Sequence, residues 1–373
     1  MYRTKHVLLT AIALTTTLTA GCAANVGTKA DAQRKSPAAG TAAGSTAATT
    51  EKLSADTIRL GYFANITHAI PVVGVQNGTF QERLGSTKVE TQTFNAGPAA
   101  VEALFGGALD ATYIGPNPAI NAFAKSKGEA IRIIAGATTG GASLVVQSDA
   151  GIETVADLKG KKIATPQKGG TQDIALRAFL KENGITVGGG PDAVDVLNTE
   201  NATTLEQFKA KTIAGGWLPE PWASRLVLEG SAKVLLDEKT RWPDGKFVTT
   251  HLIVSTKFLT EHPDVVKKLL EAHVATADAI NKDKKAAKAT INTALKSLTG
   301  KALKDDVLNR AFDQIVVTTD PAADSLAKTK DNAVAAGLLK EVDLRGIYDL
   351  TLLNEVLTAA GSPAVADAGL GKG

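Results

Sequence analysis

Apolar positions along the chain switch repeatedly between two periods. Short runs that are apolar throughout, or at every second residue, predict strands. They fall at Ile58–Phe63, Val89–Phe94, Leu109–Ile114, Ile131–Ala135, Leu144–Gln147, Lys162–Thr165, Ala193–Leu197, Ile213–Trp217, Val234–Asp237 and Thr249–Ser255. Between them, apolar residues recur at helical spacing. Val101, Leu104 and Phe105 share one side of Pro98–Gly106. Ile174, Leu176, Ala178, Phe179 and Leu180 make Thr171–Asn183 amphipathic. Further helices are expected at His68–Phe80, Pro118–Ser126, Val155–Lys159, Thr203–Ala210 and Trp222–Glu229. From Thr256 to Leu357 the pattern is largely helical, clearest at Pro263–Asn281. The Lys- and Ala-rich run Asp278–Thr293 reads as a solvated helix face. Residues 361–373 read as a frayed tail.

Alternation of strand and helix places the chain in the α/β class, with mostly parallel sheets. Joints near Thr139–Ala142 and Lys246–His251 suggest two lobes and a chain that crosses between them twice. On that reading residues 56–140 open lobe 1, 141–248 form lobe 2, and 249–360 return to lobe 1 as mostly helical structure.

The N-terminus breaks the pattern. Arg3, Lys5 and His6 precede the uncharged stretch Val7–Ala20, then Ala20-Gly21-Cys22. This is the layout of a secretory signal, residues 1–21, shorter than a membrane span. Residues 22–55 follow, rich in Ala, Gly, Ser and Thr and poor in large apolar side chains, as expected of a flexible tether. Cys22 is the only cysteine, which excludes an intramolecular disulfide and a cysteine metal cluster. Net charge is +3, from 41 basic and 38 acidic residues, which gives no case for nucleic-acid binding. HExxH, CxxC, GxxxxGK[ST] and GxSxG are all absent from the sequence, so no catalytic, metal or cofactor site is expected.

Several long segments carry a resemblance. IRLGYF, GALDATYIGPNPAINAF, GGASLVV, ADLKGKKIATPQKGGTQDIALRAFLKENG, WLPEPWASRLV and WPDGKFVTTHLIVSTKFL closely resemble the substrate-binding proteins of ABC importers for aliphatic sulfonates, taurine and nitrate. The similarity covers residues 56–285 well and the helical end loosely. It implies a two-lobed periplasmic-binding-protein fold of type 2, with ligand in the cleft and two crossings between lobes. It also implies a monomer that closes on its ligand and docks on a membrane permease powered by a cytoplasmic ATPase. Ala20-Gly21-Cys22 resembles the lipobox of bacterial lipoproteins, with Thr19 at the third position before the cysteine in place of Leu. That resemblance implies lipidation of Cys22 and anchoring at the extracytoplasmic face of the cell membrane.

An alkanesulfonate presents three anionic oxygens and an apolar tail. Helix starts supply free N–H groups for such an anion. Four strand-to-helix segments are candidates. Asn65, Thr67 and His68 follow the first strand, where Asn65 or Thr67 could equally cap the helix. Gly115 and Asn117 lie in a Pro-stiffened turn. Gln167, Gly169, Gly170, Thr171 and Gln172 form the preferred anion-holding element, with Asp173 stabilising the helix start and Lys168 a solvated lysine or a counter-charge. Glu220 and Trp222 come last: Trp217 or Trp222 for an alkyl tail, Glu220 for the amine of an aminosulfonate. Each of these also has a plain structural reading as core or surface. The family carries an Asp where this chain has Ala214, followed by Gly215-Gly216, which is expected to loosen that strand. Gly141, Ser143 and Thr250 sit at the expected crossings, where glycine absorbs closure and Thr250 reaches the ligand. The expected function is capture of an aliphatic sulfonate-like anion for a permease. Nitrate, taurine or a thiamine-precursor heterocycle as ligand, an enzyme of the same fold, and a sensory lipoprotein remain as alternatives.

Overall fold

A computed structural model describes residues 52–372. The expected leader, Cys22 and the tether up to residue 51 lie outside the described residues. The chain enters through β1 (Thr57–Phe63) and a 3-10 turn (Ile66–His68). It continues through α1 (Ala69–Gln76), α2 (Thr79–Leu84), β2 (Lys88–Phe94), α3 (Gly97–Phe105), β3 (Ala111–Ile114), α4 (Pro116–Lys125) and β4 (Ile131–Gly140). The second lobe holds β5 (Ala142–Gln147), a 3-10 turn (Val155–Leu158), β6 (Lys162–Thr165), α5 (Thr171–Glu182), β7 (Thr186–Val187), β8 (Ala193–Asn198), α6 (Asn201–Lys209), β9 (Gly215–Pro219), α7 (Trp222–Gly230) and β10 (Ala232–Asp237). Two 3-10 turns, Glu238–Arg241 and Pro243–Gly245, lead back to β11 (Val248–Ser255). Then follow α8 (Thr256–Glu261), α9 (Pro263–Lys282), α10 (Lys284–Thr299), α11 (Asp305–Asp313), β12 (Ile315–Val317), α12 (Asp324–Ala335) and α13 (Thr351–Ala359).

Two six-stranded sheets result. The first runs β12-β4-β11-β3-β1-β2 and the second β10-β5-β9-β6-β8-β7. β1 pairs in parallel with β2 and β3, and β6 with β8 and β9. β11 runs antiparallel between β3 and β4, so the returning chain is laced into the first sheet. The chain therefore crosses between sheets at Gly141 and again at residues 238–247, as expected for two lobes. Gly141 makes the first crossing in one residue: its φ of +77° is left-handed, and an added Cβ would meet Ile315 Cγ2 at 2.5 Å.

Lobe 1 packs one continuous core around Ile58, Leu60, Tyr113, Leu252 and Leu269. The second sheet buries both faces, one around Trp217, Leu144 and Leu176, the other around Phe208, Leu218 and Leu226. Apolar runs without alternation, such as LVV in β5, follow from burial on both sides.

Five sequence expectations change. β12 lies inside the stretch expected to be helical; at three residues it is too short to show a period. The Lys/Ala-rich run is not one helix: it breaks at Asp283, whose side chain caps α10 through the Ala286 N–H. The tail is not frayed, because Gly371 bridges to Tyr348 and the Asn354 side chain bonds both backbone groups of Val365. The tether, expected through Ala55, is already docked at Ser54, which donates its N–H to Asp264 at 2.7 Å. Gly215 does not loosen β9 either; it packs so closely that an added Cβ would lie 2.4 Å from the Val145 carbonyl.

Candidate ligand-binding cleft

In both sheets the parallel strands end at the cleft, and each following helix starts there. The crevice at strand C-terminal ends is where α/β folds bind ligands. A partly open cavity of about 40 Å³ lies between the lobes. It is lined by Asn65, Thr67 and His68 of the first 3-10 turn and by Ala96 and Gly97 at the start of α3. Gly115 before α4, Gly170, Thr171 and Gln172 at the start of α5, and Asn201 at the start of α6 complete the ring. Five helical segments thus begin on one cavity, and no lining side chain carries a charge. The first N–H groups of each helix have no partner within it. The helix dipoles add positive potential at the same place. The larger concavity of about 900 Å³ near Arg59, Asp110 and Lys257 lies at the opposite end of the lobe 1 strands and shares none of these lining residues.

The lining polar groups are set in place by identifiable bonds. His68 is buried and its ring stacks on Phe63 at 4.3 Å between centroids. Its Nδ1 accepts from the Phe63 N–H at 3.3 Å, which leaves Nε2 to carry the proton. Burial lowers its pKa to about 3, so it is a neutral donor at physiological pH. Fully buried Asp173 organises the loop before α5. It accepts from the Gly169 N–H (2.9 Å), Thr165 Oγ1 (3.1 Å), Arg177 Nε (2.9 Å) and Asn198 Nδ2 (2.8 Å). Arg177 is therefore spent on the fold. Three lining side-chain oxygens, those of Gln167, Thr171 and Asn201, are buried without a hydrogen-bond partner. Such groups are costly unless something satisfies them.

The lobes touch across the cleft. An added Cβ on Gly115 would stand 2.3 Å from Thr171 Oγ1, so glycine permits that approach. Trp222 Nε1 donates to Asn65 Oδ1 at 2.9 Å, and Asn95 Nδ2 to Glu200 Oε1 at 2.8 Å. Arg310 of α11 reaches Glu220 Oε1 at 3.3 Å and Ser224 Oγ at 2.7 Å.

Of the residues singled out from sequence, Asn65, Thr67, His68, Gly115, Gln167, Gly170, Thr171 and Gln172 line the cavity. Six do not. Asn117 turns toward α12 and donates to the Thr329 carbonyl at 3.3 Å. Gly141 is taken up by the crossing, and Gly169 by its bond to Asp173. Glu220 is buried against Arg310 and accepts from the Ser224 N–H at 3.0 Å, so it faces no ligand amine. Trp222 is held by Asn65 and lies under the Arg225 guanidinium at 4.8 Å. Thr250 bonds the Thr67 carbonyl, and its neighbour Thr249 lines the cavity instead. Trp217 is core, donating to Glu238 at 2.7 Å. The apolar wall consists of Phe63, Ala96, Pro118, Pro166 and Pro219. Asn95, Gly97 and Asn201 went unrecognised; each starts or precedes a helix after a predicted strand, the signal used elsewhere.

The family model of the NMT1-like family matches residues 51–295. A binding protein of Brucella abortus (strain 2308) is 29% identical over 216 residues, 57% of this chain and 63% of that protein's length. The chain thus spans under two thirds of that relative. The alkanesulfonate-binding protein of Xanthomonas axonopodis pv. citri, solved with MOPS, superposes with TM-score 0.63 at 24% identity. That superposition covers 77% of this chain and 95% of the other. The periplasmic nitrate-binding protein of Synechocystis PCC 6803 gives TM-score 0.69 at 17% identity over 82% and 89%. The chain belongs to the NMT1-like family and has the type 2 periplasmic-binding-protein fold shared with sulfonate- and nitrate-binding receptors.

Proposed function

We propose that this protein is an extracytoplasmic solute receptor. Its cleft captures a small anion with an oxygen-bearing head, a short aliphatic sulfonate, and delivers it to an ABC permease. The observation that carries the reading is the convergence of five helix starts on one cavity without a charged side chain in its lining. Such a site stabilises an anion through N–H groups and dipoles, with His68 Nε2 and the hydroxyl of Thr171 as added donors. Lobe closure is then a population shift toward the form in which both lobes touch the anion. Lipidation at Cys22 and a membrane-bound monomer belong to the same proposal. A nitrate receptor is a second reading with its own support: a cavity of about 40 Å³ holds only a few water-sized groups, and its apolar wall is short.

Calorimetric titration tests both. The panel is ethanesulfonate, taurine, an arylsulfonate, nitrate and a thiamine-precursor heterocycle, after removal of carried-over ligand. Saturable one-to-one binding of ethanesulfonate, lost in Thr171→Val, supports the sulfonate reading. Nitrate binding without sulfonate binding selects the second. Tight binding of the heterocycle alone, or turnover of any compound, overturns both.

A further inference from the structure

Charge on this molecule is segregated. Residues 282–304 carry seven lysines and one aspartate, net +6, in a chain of net +3, so all other residues together are net −3. The structure folds this stretch as the end of α9, all of α10 and the loop to α11. Ala287, Ile291, Ala294 and Leu295 pack into the lobe 1 core. Lys282, Lys284, Lys285, Lys296, Lys301 and Lys304 stand exposed, and none forms an ion pair among the described residues. Lys288 differs, with Nζ bonded to Asn309 at 2.6 Å and lying over the Phe312 ring. Lys284, Lys288, Asn292 and Lys296 recur every four residues along one side of α10, the spacing that stacks side chains on a helix. They border an open groove of about 810 Å³ shared with α11, where Asp305 is the sole acidic lining residue.

We propose that this side of α10 docks the receptor on an anionic phospholipid surface. Protein interfaces are depleted in lysine and enriched in aromatic residues and arginine. The groove has lysines only, with neither an aromatic nor an arginine in its lining. Lysine is a hydrated point charge on a flexible stem and lacks the planar fork that recognises one carboxylate or phosphate. A plane of anionic headgroups asks for no shape complementarity and strengthens binding several-fold per nearby lysine. None of these residues lines the cleft cavity, so the docking face is separate from ligand capture.

The test is sedimentation of the full chain with sucrose-loaded phosphatidylcholine vesicles, with and without phosphatidylglycerol, at low and high salt. One variant carries Lys284→Glu, Lys285→Glu, Lys288→Glu and Lys296→Glu, the four lysines that line the groove. A control carries the same charge change at exposed Lys159, Lys162, Lys257 and Lys340. All three proteins share one N-terminal segment, so its contribution to membrane binding cancels. The expected result is at least about a tenfold drop in partitioning to anionic vesicles for the α10 variant. The control drops less, and the neutral vesicles do not distinguish the proteins. High salt should erase the difference. Equal drops in variant and control, or no difference between wild type and the α10 variant, overturn the proposal. Binding of poly-glutamate by wild type without any preference for anionic vesicles also overturns it and assigns the face to an acidic protein partner. Circular dichroism melts check folding, and a Lys→Gln version of the α10 variant replaces it if the Glu version melts early. Anion titration of the cleft stays unchanged in every variant, so failure here leaves the receptor reading standing.

Discussion

Gly115→Ala isolates lobe closure from folding. Gly115 has φ −70° and ψ 159°, a region open to alanine, so lobe 1 tolerates the change without backbone strain. The new Cβ would lie 2.3 Å from Thr171 Oγ1, whereas ordinary contact begins near 3.4 Å. The lobes must therefore part by about 1 Å, or Thr171 must abandon its rotamer. Overpacking of this kind costs about 1–3 kcal/mol. Charged to the closed state alone, it weakens anion affinity roughly 5- to 150-fold. Thr171→Ala removes the clashing oxygen and leaves its Cβ at 3.4 Å, an ordinary contact. In that background Gly115→Ala should cost almost nothing, although Thr171→Ala alone weakens binding by losing a donor. The assay is calorimetric titration of all four proteins of the cycle, with small-angle scattering on the free and bound forms. Gly115→Ala should keep its melting temperature and scatter as a more open molecule with ligand present. An equal penalty in both Thr171 backgrounds, or none in either, refutes the reasoning that Gly115 and Thr171 set the closing distance.

Three further outcomes follow from buried charge. His68, His251 and His273 are buried and neutral, their pKa values lowered by burial to about 3, 4 and 4. The unfolded chain binds more protons below pH about 6.5, so their contribution is complete above that pH and is lost as pH falls toward 4. Glu238 works the other way: burial raises it to about 7, so its contribution is lost as pH rises from about 4.5 to 7. Three groups against one leaves a net loss of up to about 3 kcal/mol per pH unit on acidification; urea midpoints should fall steeply from pH 6.5 to 4.5, and more steeply in Glu238→Gln. Arg310→Ala strands the buried Glu220 carboxylate and should cost about 1–3 kcal/mol, less than a fully buried pair because Arg310 is 26% exposed. Thermal melts check it, with partial recovery in Arg310→Ala/Glu220→Gln. Asp173→Asn loosens the Gly169 N–H and Arg177, and should lower anion affinity at least about tenfold while the protein still folds; unchanged affinity would show that the loop holds itself.

The location of the candidate cleft was legible because it follows from topology. A parallel strand ends where the next helix starts, so GPNP after β3 and KGGTQD after β6 had to lie at one end of their sheets. Which atoms point into the cleft was not legible, because that depends on register and partner. Thr249 and Thr250 are adjacent on β11, and strand side chains alternate between faces. Pairing with both β3 and β4, with register shifts in the β4 pairing, sends Thr250 to the Thr67 carbonyl and Thr249 to the cavity. Gly169 and Gly170 look alike in sequence, yet Asp173, one turn ahead, claims the first. Trp222 and Glu220 were misread for a related reason. Their chemistry suits a ligand, and it is satisfied instead by the other lobe: Asn65 for the indole, Arg310 for the carboxylate. Those partners lie 157 and 90 residues away, beyond any local pattern. A polar residue at a cleft edge can serve the ligand or the closing contact, and only three-dimensional neighbours decide between them. The side-chain oxygens of Gln167, Thr171 and Asn201 have no such neighbour; of the three only the Thr171 hydroxyl can donate to an anion, while the two amide oxygens accept and would face an N–H or O–H group instead.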